Sequence, residues 1–513
     1  MIKKQESSSS DTNSLSNSFS NTINNMKNKI LTKFSTRGKC QMQYIACFSG
    51  SLATAACLIN TSWTSPAVPY LKSGESKFPV TDTQGAWIVS LYNFGDIFGT
   101  PLTLLFLDRI GRKYTMLLYG IPAITSWLLI IFANNFIDLY IARFIGGIGH
   151  GFVISTTVIY LAEISEKDSR ITLFTIMRVT GSCVGFVATT IGSLLSYEIL
   201  NITCLIVPII FLLLFSFMPE SPYYLLLKGN EEEAIKCLIK LRGKTDQALN
   251  RESLENDIAE MKLNVEGMNF KISAFRELLY QKNNRQAMLV VLFMKITQFM
   301  TGNLIILGYA VEIFEFGGSS VKSGTAAIIL AGIRLISSLL SGLLLNAMDI
   351  RSNFLISGLL GALCMFTLGI YFYMKHLGEN VSSFSWLPLT ALIIFELITY
   401  LGIAIIPFIL QGELFPMQVK GVAGVFGTIV GSICTFASTT GYNALNDAVG
   451  FHASFWLFGF TSFFGSLITY SITPETRGKT LEEIQAMNNP EIKKKLYLVR
   501  LRRLDSNMST TQY

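Results

Sequence analysis

Six ionisable residues stand inside long apolar runs: Asp96, Arg143, Arg178, Lys295, Arg334 and Glu396. A charged group in a membrane span costs at least about 2.5–3.5 kcal/mol at the helix centre, so it normally faces a partner or a wet cavity. The chemistry open to such groups is binding a polar or charged solute, and in places exchanging a proton. Bond-making chemistry finds no support, because the chain holds no phosphate loop, no His/Cys metal spacing and no nucleophile–base set. Neither an enzyme nor a resident cofactor or metal is expected. Four of the six are cations, a surplus that suits an anionic solute or a sugar held by charge-assisted hydrogen bonds. For Arg178 and Arg334 two readings stand side by side: they line a cavity, or they form structural ion pairs with Asp96 and Glu396. Lys295 lies toward one end of its run and is expected to snorkel. His150 follows a glycine run and is expected to be a packing residue, though with Asp96 it is also a candidate proton site.

Holding these groups takes a membrane protein. Of 513 residues half are hydrophobic and only 15% charged, too apolar for one soluble domain of that length. Twelve runs have a length that crosses a roughly 30 Å hydrocarbon layer: about 43–64, 86–107, 114–133, 139–162, 170–195, 201–218, 286–309, 324–345, 353–374, 387–411, 421–443 and 452–472. The expected fold is an all-α membrane protein of twelve transmembrane helices in two six-helix pseudo-symmetric bundles. Residues 1–42 read as a disordered tail, 43–218 and 286–472 as the bundles, 219–285 as a cytoplasmic helical linker, and 473–513 as a second tail. With the N-terminus inside, about 33 of the 41 Lys and Arg fall in cytoplasmic segments, four in external loops and four in spans. That bias puts both termini in the cytoplasm; the plasma membrane is the expected location. Lys493-Lys494-Lys495 and Arg500, Arg502 and Arg503 read as an amphipathic stretch on anionic lipid or as a solvated tail. The eight cysteines form no framework of disulfides. Besides lipid, the expected partner is a small polar solute, with no role for nucleic acid and a monomer as the expected state.

Weak internal repetition supports two halves. Tyr160-Leu161-Ala162-Glu163 has a counterpart in Gly412 to Pro416, and Pro219-Glu220-Ser221-Pro222 one in Pro474-Glu475-Thr476-Arg477. The charged hairpin Asp108-Arg109-Ile110-Gly111-Arg112-Lys113 corresponds to Asn346 through Ser352, where only Arg351 stays charged. Transporters use such paired halves to open a central cavity to alternate sides. Asp108, Arg109, Arg112, Glu163, Arg170 and Glu220 of one half, with Glu413, Lys420 and Glu475 of the other, gather at the cytoplasmic helix ends. Together they read as a network that latches the outward-open state, or as anchor charges that merely set topology.

The same residues resemble a known family. Asp-Arg-x-Gly-Arg-Lys at 108–113 is similar to the signature of the major facilitator superfamily, without its leading Gly. The two Pro-Glu segments, Arg143 with Gly147, Gly149 and Gly151, and Tyr160/Glu163/Arg170 resemble the sugar porter family within it. Trp63-Thr64-Ser65-Pro66-Ala67-Val68-Pro69 and Gly85-Ala86-Trp87-Ile88-Val89-Ser90-Leu91 look most like its insect facilitated trehalose transporters. The resemblance implies a hexose or disaccharide as cargo and a binding site on helices five, seven, eight and ten. At the matching positions the chain carries Arg178, Gln298, Phe299, Arg334, Tyr400 and Phe408, with Leu304 in an Asn position and Asn303 one residue away. Several amides that the family uses for sugar hydroxyls are therefore replaced. The first-helix carboxylate of proton-coupled relatives is Asn60, so facilitated diffusion is expected. Two alternatives remain: an organic anion bound by Arg178 and Arg334, or a nutrient sensor that keeps the fold without transport. Asn201-Ile202-Thr203 and Asn380-Val381-Ser382 are candidate glycosylation sites.

Overall fold

The structure, a computed structural model, describes residues 41–166, 169–242, 258–259, 261–262, 271–318, 321–344, 349–415 and 417–473. The tail before Gln41, most of the second linker helix and the basic segment after 473 lie outside the described residues. The first half comprises α1 (Gln41–Lys72), α2 (Asp82–Ile110), α3 (Arg112–Leu118) continuing into α4 (Gly120–Ile131), α5 (Phe136–Ile164), α6 (Arg170–Leu194) and α7 (Tyr197–Phe215). The linker contributes α8 (Pro222–Leu227), α9 (Glu231–Arg242) and α10 (Lys271–Tyr280). The second half follows with α11 (Lys282–Met300), α12 (Asn303–Gly317), α13 (Ser323–Leu344), α14 (Ile350–His376), α15 (Leu387–Leu401), α16 (Ile406–Leu414), α17 (Met417–Ala448) and α18 (Phe451–Ile472). Eleven helical stretches have the length and hydropathy of a membrane span, and the 29-residue α2 is the twelfth crossing.

Local chemistry sets where these helices start and break. Thr81 caps α2 in a capping box with Gln84, and Asn135 caps α5 in one with Asp138. Gly111 turns the chain between α2 and α3 at φ +95°, and an added Cβ would stand 2.4 Å from Glu220 Oε2. Gly302, at φ +84°, separates α11 from α12. Gly402 ends α15, and Pro407 lies in the first turn of α16, where its missing N–H is harmless. Several helices outrun the expected spans: α1 reaches Lys72 rather than residue 64. Hydropathy marks only the part in hydrocarbon, whereas the hydrogen-bonded ladder continues into the polar margin and through Pro66 and Pro69.

Small residues bring α2 and α5 together. A Cβ on Gly99 would lie 2.0 Å from the Ile148 carbonyl oxygen, and one on Gly147 would lie 2.0 Å from that of Tyr92. This seam lets the backbones approach as glycines do between membrane helices. Cys237 and Leu241 of α9 join the core of the first bundle with Phe211 and Phe215. Leu278 of α10 packs with Val291, Leu410 and Val419 of the second. The linker thus begins on one bundle and ends on the other. Of the second linker helix, Ile258, Ala259, Met261 and Lys262 are helical, and Lys262 Nζ lies 2.7 Å from Glu231 Oε2.

Candidate functional site

Two recesses lie between the bundles, both walled by α1 and α12. One, about 270 Å³, is lined among others by Thr61, Asn93, Arg143, Leu304 and Thr439. The other, about 300 Å³, is lined among others by Ser62, Ser182, Thr189, Leu307, Arg334 and Tyr400. The broken helices α11/α12 and α15/α16 bring unwound backbone to this region, which is where membrane carriers can expose carbonyls and amides to a solute.

Arg334 and Glu396 form an ion pair inside the second bundle. Arg334 Nε donates to Glu396 Oε2 at 3.1 Å, and Nη2 donates to Oε1. Both sequence readings of Arg334 therefore hold, since it is paired and also borders the larger recess. Arg178 differs. Its Nη2 donates to the Tyr400 carbonyl at 3.3 Å, across the interface between bundles. Its Nη1 is buried and has no hydrogen-bond partner among the described residues. The guanidinium carbons of Arg178 and Arg334 each lie 5.3 Å from the centre of the Tyr400 ring.

Of the amides, Gln298 donates from Nε2 to the Ala404 carbonyl at 2.9 Å, and its Oε1 is unpartnered among the described residues. Asn303 Nδ2 donates to Thr399 Oγ1 at 3.4 Å. Phe299 packs toward α17, where a Cβ on Gly431 would meet its ring at 2.5 Å. Lys295 does not snorkel. It is 1% exposed, and its Nζ sits 3.3 Å from the centre of the Phe408 ring. The expectation failed because α11 begins earlier than hydropathy suggests, which draws Lys295 deeper, and the Phe408 face replaces water by a cation–π contact.

The remaining span charges also find partners. Arg143 donates from Nε to the Ile88 carbonyl at 3.0 Å and from Nη1 to the Asn60 carbonyl at 2.9 Å, with the Tyr92 ring centre at 4.5 Å. No carboxylate pairs with it among the described residues. Asp96 accepts from Ser432 Oγ at 2.6 Å, a bond between α2 and α17, and His150 Nδ1 lies 3.1 Å from its Oδ1. His150 Nδ1 makes no hydrogen bond among the described residues, so the ring packs beside Asp96 and on Tyr92. Asn201 accepts from Trp63 Nε1 at 2.7 Å and is 3% exposed within α7, which removes it as a glycosylation acceptor. Asn380 is exposed in a loop.

The described hairpin charges meet partners of the first half. Arg112 is 3% exposed and grips Glu163 through Nε at 2.9 Å and Nη2 at 2.8 Å, with Asp108 at 3.5 Å from Nη1. Glu220 accepts from the backbone N–H groups of Arg112 and Lys113, each at 3.0 Å. Burial raises the Glu220 carboxyl above its ordinary range, while bonds from Ser221, Lys113 and Arg112 pull it back. Ser221 also donates to Glu163. Arg109 is exposed, and Arg170 bonds to Ser165 Oγ at 3.2 Å. The printed charge contacts therefore tie α3, α5 and the start of α8 to one another. The side chains of Glu413, Lys420 and Glu475 lie outside the described set.

A further contact between the halves that the sequence did not disclose is at the opposite end. Lys72 Nζ lies 3.4 Å from Glu312 Oε1 and 2.9 Å from Asp82 Oδ1. Beneath it, Thr64 Oγ1 donates to the Gly308 carbonyl at 3.0 Å, and the Val311 N–H donates to Ser65 Oγ at 3.3 Å. The only sequence signal was that Lys72 is among the few cations outside the basic segments.

Residues 15–487 match the family model for sugar (and other) transporters. A facilitated trehalose transporter of Apis mellifera ligustica is 30% identical over 445 residues, covering 86% of this chain and 88% of that one. One of Anopheles gambiae is 29% identical over 470 residues, and the match spans 91% of this chain but 58% of that longer protein. Among solved structures, a proton:xylose symporter bound to 6-bromo-6-deoxy-D-glucose aligns with a TM-score of 0.71 at 20% identity, over 88% of this chain and 99% of that one. That likeness shows a shared fold.

Proposed function

The chain belongs to the sugar transporter family, and on that premise we propose that it carries a hexose or disaccharide of the glucose or trehalose kind across the plasma membrane by facilitated diffusion. The observation that carries this reading is the larger recess at the meeting of both bundles, bordered by broken helices and hydroxyl side chains. Residues 43–218 and 286–472 act as the two rocking halves, with 219–285 as their link. Arg178, Gln298, Asn303, Arg334 and Tyr400 face or border the solute, while Phe299 and Phe408 shape its surroundings. Asn60 meeting Arg143 through carbonyl oxygens supports uniport, since no first-helix carboxylate is there to load a proton.

The cation distribution supports cytoplasmic termini. In that orientation the Lys72–Glu312 pair closes the external side, and the hairpin cluster stiffens the cytoplasmic end of the first bundle. Radiolabelled glucose and trehalose uptake in oocytes, measured at two pH values, tests the proposal. Saturable, pH-independent flux supports it. Flux that needs a proton gradient overturns uniport, and surface-expressed protein with no flux of either sugar overturns transport in favour of a sensor.

A further inference from the structure

Two of the chain's three histidines meet at the end of the molecule that carries the Lys72–Glu312 pair. His376 ends α14, and His452 is in the first turn of α18. Their ring centres lie 5.0 Å apart, with the planes at 45°. Phe316, one turn beyond Glu312 on α12, stacks on Phe451 at 3.9 Å and fixes the place of the pair. Both Nδ1 atoms border one gap beside Gly450. A Cβ there would stand 3.2 Å from His452 Nδ1 and 3.4 Å from His376 Nδ1, and φ +117° reserves the position for glycine.

His452 is prepared as a ligand. It is 6% exposed, and the rings of Tyr373 at 5.1 Å and Trp456 at 5.2 Å hold it edge-on. Its Nδ1 is buried and has no hydrogen-bond partner among the described residues. A proton on that nitrogen would be a buried donor without an acceptor, so the neutral tautomer with its proton on Nε2 is favoured. Nδ1 then presents a lone pair to the gap. His376 is exposed, so its ring can turn to admit an ion from solvent. The neighbouring cation Lys375 is engaged by the Phe316 carbonyl and ring. Neutral imidazoles suit a borderline divalent metal such as zinc, whereas magnesium and calcium prefer oxygen ligands. No third His, Cys, Asp or Glu joins the pair among the described residues, which leaves the other coordination positions to water.

We infer that His376 and His452 form a zinc-class metal site, open to water, that staples the end of α14 to the start of α18. Sequence spacing hides it, because the two ligands come from different helices.

Isothermal titration of the full-length, untagged protein with zinc chloride tests it, with magnesium chloride as the control. Zinc should bind at one site per chain, and magnesium should not bind. His376→Ala and His452→Ala should each weaken zinc binding about tenfold or more, at least the loss seen when a ligand's supporting partner is removed. Zinc should also raise the melting temperature of the wild type and leave that of His376→Ala unmoved. Because His376 is exposed, its variant keeps the test decisive if His452→Ala does not fold. Absence of zinc binding to the wild type overturns the inference. Binding that His376→Ala leaves unchanged also overturns it, by placing the metal on other residues, and so does magnesium binding as tight as that of zinc.

Discussion

Glu312→Gln should open the end of the molecule at which Lys72 sits. Lys72 Nζ and Glu312 Oε1 are 3.4 Å apart, with side chains 23% and 25% exposed. At that separation two unit charges attract by about 5 kcal/mol at an effective dielectric of 20 and by about 1 kcal/mol in bulk water. Desolvation and side-chain ordering offset most of the larger figure, and exposed pairs return about 0–1 kcal/mol. For a quarter-exposed pair the net value is about 1 kcal/mol, or about a fivefold shift between closed and open populations. Lys72 also meets Asp82 at 2.9 Å, but Asp82 is 86% exposed and belongs to the same half. Asp82→Asn should therefore have little effect on closure, whereas Lys72→Gln should match Glu312→Gln, and the double variant should exceed neither. Nitroxide labels replacing Glu75 and Glu379, one exposed loop residue in each half, report the population as a distance distribution in a cysteine-free background. A distribution unchanged by Glu312→Gln, or fully additive single effects, would refute the reasoning.

Other outcomes follow from the geometry. Glu163→Gln leaves the nearly buried Arg112 guanidinium short of its counter-charge and should lower stability by about 2–4 kcal/mol, read as a fall in melting temperature of the purified protein. If Glu163 acts only through Arg112 within the first half, the distance distribution above should hardly move; a shift would support the expected latch between halves. Gly99→Ala places a Cβ 2.0 Å from a carbonyl oxygen of α5 and should cost about 3 kcal/mol or more, seen as loss of folded monomer in size-exclusion profiles. Because the Glu220 carboxyl is raised in the folded protein, its contribution to stability falls as pH rises through that raised value. Glu220→Gln should flatten the melting-temperature profile above pH 4.5, and an unaltered slope would contradict it. Asn380→Gln should abolish any glycosidase-sensitive gel shift, whereas Asn201→Gln should change only stability, through the lost bond to Trp63.

Hydropathy made the twelve crossings legible because membrane insertion selects on summed apolar content over a span, a property local to each segment. It made the types of the buried charges legible for the same reason. Their partners were not legible. Arg334 and Glu396 are 62 residues apart, Asp96 and Ser432 are 336 apart, and Lys72 and Glu312 are 240 apart. Which acid meets which base depends on helix rotation, and a rotation of one residue position turns a side chain by about 100°. Lys295 shows the consequence. Its depth followed from where α11 starts, and its partner was an aromatic ring that charge counting does not see. Asn201 matched an acceptor motif, yet the helix that contains it spends the amide on Trp63.

The bonds of Thr64 and Ser65 to α12 end on a carbonyl and an N–H, groups that any residue but proline would present there. Apart from Glu312 and the small Gly308, closure written in main-chain atoms leaves the other side chains of α12 free to differ toward the solute. Cargo preference can thus drift by substitution along that helix without rebuilding the door, a separation of duties that lets one scaffold diversify.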